Sequence, residues 1–136
     1  LFGDKIIIST IKEGGSVFMA QQAQAAAVKE VTSIITRCER VQPKFAPGTA
    51  QHTLLKNRIQ ALRIAAALLG ETGAGGYPSQ ELSAALEPLA SIARKCTKAQ
   101  AKYAPGSAQY RRFNGTITAM ALSRTCIENE LQRRRV

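Results

Sequence analysis

The sequence has no tryptophan, one histidine and few aromatic residues of any kind, with Phe and Tyr making up 5% of its 136 residues. Readers of single-stranded nucleic acid stack bases on aromatic platforms, and no RNP, KH, zinc-finger or convincing helix-turn-helix signature accompanies the shortage. No apolar run approaches the roughly 20 residues that cross a bilayer. The three cysteines, Cys38, Cys96 and Cys126, are an odd number at long spacings without a CxxC pair. That argues against a disulfide framework or zinc site and reads as three small buried hydrophobes of a reducing cytoplasm. Acid is scarce too: 9 Asp and Glu stand against 19 Lys and Arg, a formal net charge of +10.

What is present is an ordinary globular mixture, 45% hydrophobic and 21% charged, long enough for one compact domain. Within it the segment APGTAQ at Ala46 to Gln51 returns as APGSAQ at Ala104 to Gln109, an offset of 58 residues. Upstream, Ala27, Ser33, Ile34, Cys38, Gln42 and Lys44 recur as Ala85, Ser91, Ile92, Cys96, Gln100 and Lys102. Downstream, Ile59 and Ala61 recur as Ile117 and Ala119. Phe45 answers to Tyr103 and Leu62 to Met120. The period fits no common solenoid, so it reads as two copies of one supersecondary unit.

Apolar residues step by three and four on both sides of each APG element: Ala27, Val31, Ile34, Cys38 and Val41 before the first, Leu55, Ile59, Leu62, Ala66 and Leu69 after it. Pro47 and Pro105 break the helix, and Thr49 and Ser107 stand where a side-chain oxygen caps the next one. The pattern predicts helices over Val17 to Gln42, Thr49 to Leu69, Gln80 to Lys102 and Ser107 to Arg133. Pro88 starts the third late or bends it, and Arg124 interrupts the apolar stripe where Ala66 sits in the first copy. The expected fold is all-α: an up-and-down four-helix bundle made of two duplicated helical hairpins, with a short extended or β-like N-terminal segment. Residues 1–18 form an arm or an appended or processed segment. Residues 19–136 form one helical domain, with repeat 1 at about 19–69, a glycine-rich linker at 70–79 and repeat 2 at about 80–136. Alanine-rich stripes bury little area, which leaves a homodimer open.

Charge is distributed unevenly. No Asp or Glu lies between Arg40 and Gly70 or between Pro88 and Ile127. Arg37, Arg40 and Lys44 map in register onto Lys95, Lys98 and Lys102, on one helical face leading to each APG turn. Two accounts fit them. Cations in a helix's last turns complement its dipole without any ligand. Alternatively they join the free amides at the next helix start, around Thr49 and Gln51 and around Ser107 and Gln109, to hold an anion. Arg111 and Arg112 belong to the second copy alone, and Tyr103 reads as a core or turn anchor.

Catalytic groups are thin. His52 has Tyr110 as its counterpart and reads as an exposed first-turn residue. Glu30 and Glu39 answer to Pro88 and Thr97, so a bundle-core dimetal site lacks ligands, and Gly73 to Gly76 is not a Walker loop. The functional expectation is a non-catalytic basic helical module that binds an acidic protein partner, without cofactor, metal or membrane. The alternative is a nucleic-acid-binding protein using phosphate contacts from the two APG turns and neighbouring Lys and Arg.

Overall fold

Stripes of apolar residues at helical spacing need a common interior, and four helices supply it in the computed structural model, which describes residues 14–70 and 76–135. The elements are α1 (Gly14–Val41), a single 3-10 turn (Gln42–Lys44), α2 (Ala50–Leu69), α3 (Ser79–Gln100) and α4 (Ala108–Arg134). No strand occurs among the described residues. Helix α1 starts at Gly14, before the expected Val17, so what is left of the expected arm, residues 1–13, lies outside the described residues, as do 71–75 of the linker. Helix α3 begins at Ser79 and runs unbroken through Pro88, giving up only the hydrogen bond that an amide there would make.

The interior is one cluster that draws on every helix. Val31, Leu62, Ile64, Leu69, Leu82, Leu89, Met120 and Ile127 are fully buried within it, each contributing about 1.5–3 kcal/mol by the usual area relation. Buried positions recur at the 58-residue offset: Ala27 with Ala85, Val31 with Leu89, Ile34 with Ile92, Ala61 with Ala119, Leu62 with Met120, Ala65 with Ser123, Leu69 with Ile127. Ser123 keeps its hydroxyl satisfied by donating to the Ala119 carbonyl at 2.7 Å.

Polar contacts fix the direction of each helix. Gln24 bonds the Leu69 carbonyl and Arg63 bonds Glu39, so α1 and α2 are antiparallel. Arg58 reaches Ser91 and Gln60 reaches Glu81 across α2 and α3. Gln100 donates to the Tyr110 carbonyl at one end of the α3–α4 pair, and Arg134 donates to Ser79 Oγ at the other. Thr116 on α4 donates to Glu30 on α1. Helices α1 and α3 take opposite corners, with no Cα pair within 8 Å, while α2 and α4 meet across the other diagonal. Both APG turns therefore lie at one end of the bundle.

The two turns share a cap. Thr49 accepts from the His52 amide and donates to the Ala46 carbonyl; Ser107 does the same with Tyr110 and Ala104, and the accepting distance is 3.2 Å in both. They differ at glycine. Gly48 has φ +90°, whereas Gly106 has no positive φ, and a Cβ at either would meet open space. Gly48→Ala is therefore expected to lower the unfolding free energy by about 1 kcal/mol through backbone strain alone, and Gly106→Ala to change it by less than about half that. Urea midpoints measure both, and equal effects would contradict the assignment.

The far end is clasped by Arg134, which bonds the Tyr77 carbonyl and Ser79 as well as Glu130. Hydrogen bonds from Arg133 and Arg134 hold the Glu130 carboxyl down at about 2. A carboxyl depressed in the folded state stabilises above its unfolded pKa, about 4.3, and loses that contribution as pH falls toward the folded value. Glu130→Gln is expected to flatten the loss of stability between about pH 5 and pH 2. Chemical denaturation across that range checks it, and an unchanged slope would show that the clasp carries no acid dependence.

Candidate basic interaction site

The end that carries the turns is where cations gather. Residues 37–58 and 94–112 hold eleven of the 19 Lys and Arg, and Glu39 is the one carboxylate among them. Glu39 is taken by Arg63. The remaining described acids, Glu30, Glu81, Glu87, Glu128 and Glu130, lie nearer the middle or at the far end. Among the described residues no carboxylate comes within salt-bridge distance of Arg40, Lys44, Lys56, Lys95, Lys98, Lys102 or Arg112.

Dipole compensation explains part of this. Arg40 and Lys98 sit in the last turns of α1 and α3, where cations are favourable. The same rule favours acids in first turns, and neither α2 nor α4 has one. Arg111 and Arg112 stand close to the positive end of the α4 dipole, at a cost of a few tenths of a kcal/mol each. Arg111 partly offsets this by donating to the Gly106 carbonyl at 2.6 Å. Helix propensity suits these two arginines, but the dipole does not.

Structure places all twelve residues expected from sequence at this end, in two settings. Arg40, Lys44, Gln51, Lys95, Lys98 and Lys102 are exposed around the turns. Thr49 and Ser107 spend their hydroxyls on capping, while the amides of Ala50 and Gln51, and of Ala108 and Gln109, have no intrahelical acceptor. Arg37, Gln109, Arg111 and Arg112 instead line a cleft of about 700 Å³ between α1 and α4. Ile34, Ile92 and Cys96 contribute its apolar lining, with Phe113, on which Tyr103 stacks at 5.9 Å between ring centroids. Tyr103 is thus 41% exposed and anchors the turn by its ring rather than entering the core.

The cleft also contains residues that sequence reading passed over. Glu30 accepts a 2.6 Å hydrogen bond from Thr116 and lies 3.9 Å from Arg37. Thr116 is 86 residues from Glu30, and no local pattern joins the two. Gly115 and Thr116 also form part of the wall, a role the sequence does not signal. At the equivalent positions of the α2–α3 seam stand the larger Asn57 and Arg58, whose Nε is buried without an acceptor. Leu54 was also missed, and Val41, expected on the apolar stripe, is exposed because it lies at the end of α1, past the last sealed layer. With Tyr103 they are the exposed large hydrophobics of the described residues, and all three lie at this end.

The cysteines are half-buried, less enclosed than expected, because Cys38 and Cys96 sit one turn beyond the last sealed layer, Ile34 and Ile92. His52 is half-buried too, in the first turn of α2. Among the described residues no group of His, Cys, Asp and Glu could hold a metal ion, and no helix is long and apolar enough to cross a membrane. The chain matches no family model, no curated protein and no solved structure.

Burial pushes both the Cys38 and Cys96 thiols up from their ordinary value, against the pull of Arg58 and Arg37. The thiolate is the reactive form, so iodoacetamide at pH 8 is expected to modify these two cysteines more slowly in the folded protein than in urea. Peptide mapping after timed quenching checks it. Equal rates would show that the helix ends do not shield them.

Proposed function

We propose that the turn-bearing end docks an acidic segment of a protein partner, and that the chain acts by binding rather than catalysis. The observation that carries this reading is the excess of cations at one end, seven of them with no carboxylate in salt-bridge distance among the described residues, together with arginines that oppose a helix dipole. Exposed Val41, Leu54 and Tyr103 among those cations favour a protein over a nucleic-acid backbone, since phosphates and sugars gain little from aliphatic surface. A second copy of the chain through the same face would set like charges together, so the partner is a different protein. Three cysteines outside any disulfide fit a reducing cytoplasm.

We read the two hairpins as copies of one ancestral unit, supported by the recurring residues, the matched burial at the 58-residue offset and the twin caps. Duplication then explains why two basic turns face the same way. The second reading, phosphate recognition, draws on the unsatisfied first-turn amides and the lysines beside them.

Fluorescence anisotropy with labelled poly-L-glutamate of about 20 residues, against single- and double-stranded DNA of similar charge at about 50 and 200 mM salt, separates the two readings. Polyglutamate is expected to bind at low salt, and Lys44→Glu with Lys102→Glu to weaken it by about tenfold or more. Preference for either DNA would transfer the face to nucleic acid. Unchanged affinity in the folded double variant would remove the turns from the site.

A further inference from the structure

The cleft between α1 and α4 differs from the rest of the basic end in combining charge with an apolar floor. Ile34 and Ile92 form the base, and the Phe113 ring, backed by Tyr103, forms one side. Arg37 stands on the α1 rim and Arg111 and Arg112 on the α4 rim. Its volume, about 700 Å³, accommodates more than one side chain. The cleft exists on one seam only in this form, because at the related positions of the α2–α3 seam Thr53 and Leu54 replace the two arginines, and Asn57 and Arg58 replace Gly115 and Thr116.

We propose that this cleft seats a short acidic peptide segment carrying an aliphatic or aromatic side chain, the apolar group lying on Ile34, Ile92 and Phe113 while flanking carboxylates meet Arg37, Arg111 and Arg112. This rests on reading the basic end as a docking face for an acidic protein, and it names what that partner must present. Charge complementarity selects the occupant. Guanidinium forks suit paired carboxylate oxygens, and the apolar floor gives a side chain a place to desolvate that a purely anionic chain would leave wet.

Glu30 makes the assignment specific. It is the cleft's own carboxylate, held by Thr116 and 3.9 Å from Arg37, so it shares Arg37 with any acid that enters. Glutamine at this position retains an oxygen to accept from Thr116 and removes the competing charge. A ligand in the cleft gains from that change, whereas one confined to the turn tips does not.

The test uses the full chain and two labelled decapeptides, one all glutamate and one with leucine and phenylalanine at its two central positions. The apolar-centred peptide is expected to bind about tenfold tighter or more. Gly115→Leu, which projects into the cleft without changing charge, is expected to erase that preference and leave the all-glutamate peptide within about twofold. Ser33→Leu on the facing wall serves if Gly115→Leu fails to fold. Glu30→Gln is expected to strengthen binding of the apolar-centred peptide severalfold. Equal affinity for the two peptides, or a preference that survives the cleft-filling substitution, overturns the cleft while leaving the docking face intact. Failure of both peptides to bind at low salt overturns both.

Discussion

Everything in this chain depends on burying one apolar seam that no single helix or hairpin can bury alone. Antiparallel packing around Val31, Leu62, Leu89 and Met120 solves that problem, and a geometric consequence follows. The loops that join α1 to α2 and α3 to α4 fall at the same end. Cations flanking each loop, unremarkable on an isolated hairpin, are then gathered at one end of the bundle. At physiological ionic strength screening acts over about 8 Å, so neighbouring groups on such an end still reinforce one another. The charged face is thus a product of core packing, and its potential is lost if the seam opens.

Folding economy alone would arrange the charges differently. Acids at the starts of α2 and α4 would complement their dipoles and neutralise Arg40, Lys44, Lys98 and Lys102 across the turns, and none is there. At the opposite end the chain does use ion pairs, with Glu130 held by Arg133 and Arg134 and with Arg134 reaching on to Tyr77 and Ser79. Among the described residues the far end thus pairs Arg133 and Arg134 with Glu130, whereas Arg40, Lys44, Lys56, Lys95, Lys98, Lys102 and Arg112 at the turn end have no carboxylate within salt-bridge distance. Unpaired charge costs stability through self-repulsion, and binding an anionic surface is the natural way to recover it.

Much of this was legible in the sequence because it is local. Apolar spacing and the Thr49 and Ser107 caps placed all four helices, and most ends fell within two residues of their expected positions. The register of the repeat anticipated buried pairs such as Ala27 with Ala85, Ile34 with Ile92 and Leu62 with Met120, but not Ala65 with Ser123, which take the core position expected of Ala66 and Arg124. What could not be read depends on the docking of hairpins. Glu30 meeting Thr116, Arg58 reaching Ser91, and the exposure of Cys38 and Cys96 all follow from which helices become neighbours across the bundle. The difference between Gly48 and Gly106 was hidden for another reason, since identical APG residues leave φ to be settled by the chain that leads into each turn. Glycine at 115 illustrates the limit well: in sequence it is a weak helix residue, and only with Ser33 and Ile34 lining the same cleft does it become part of a wall.

The central claim is that the unpaired turn end is where an acidic partner lands. Amide chemical-shift mapping of the isotope-labelled protein during titration with polyglutamate tests it most directly, because it reports location without altering a residue. The account predicts shifts concentrated in residues 37–58 and 94–113, saturating together and reversed by added salt. Shifts centred on the far end around Tyr77 and Arg134, or spread evenly over the bundle, would contradict it.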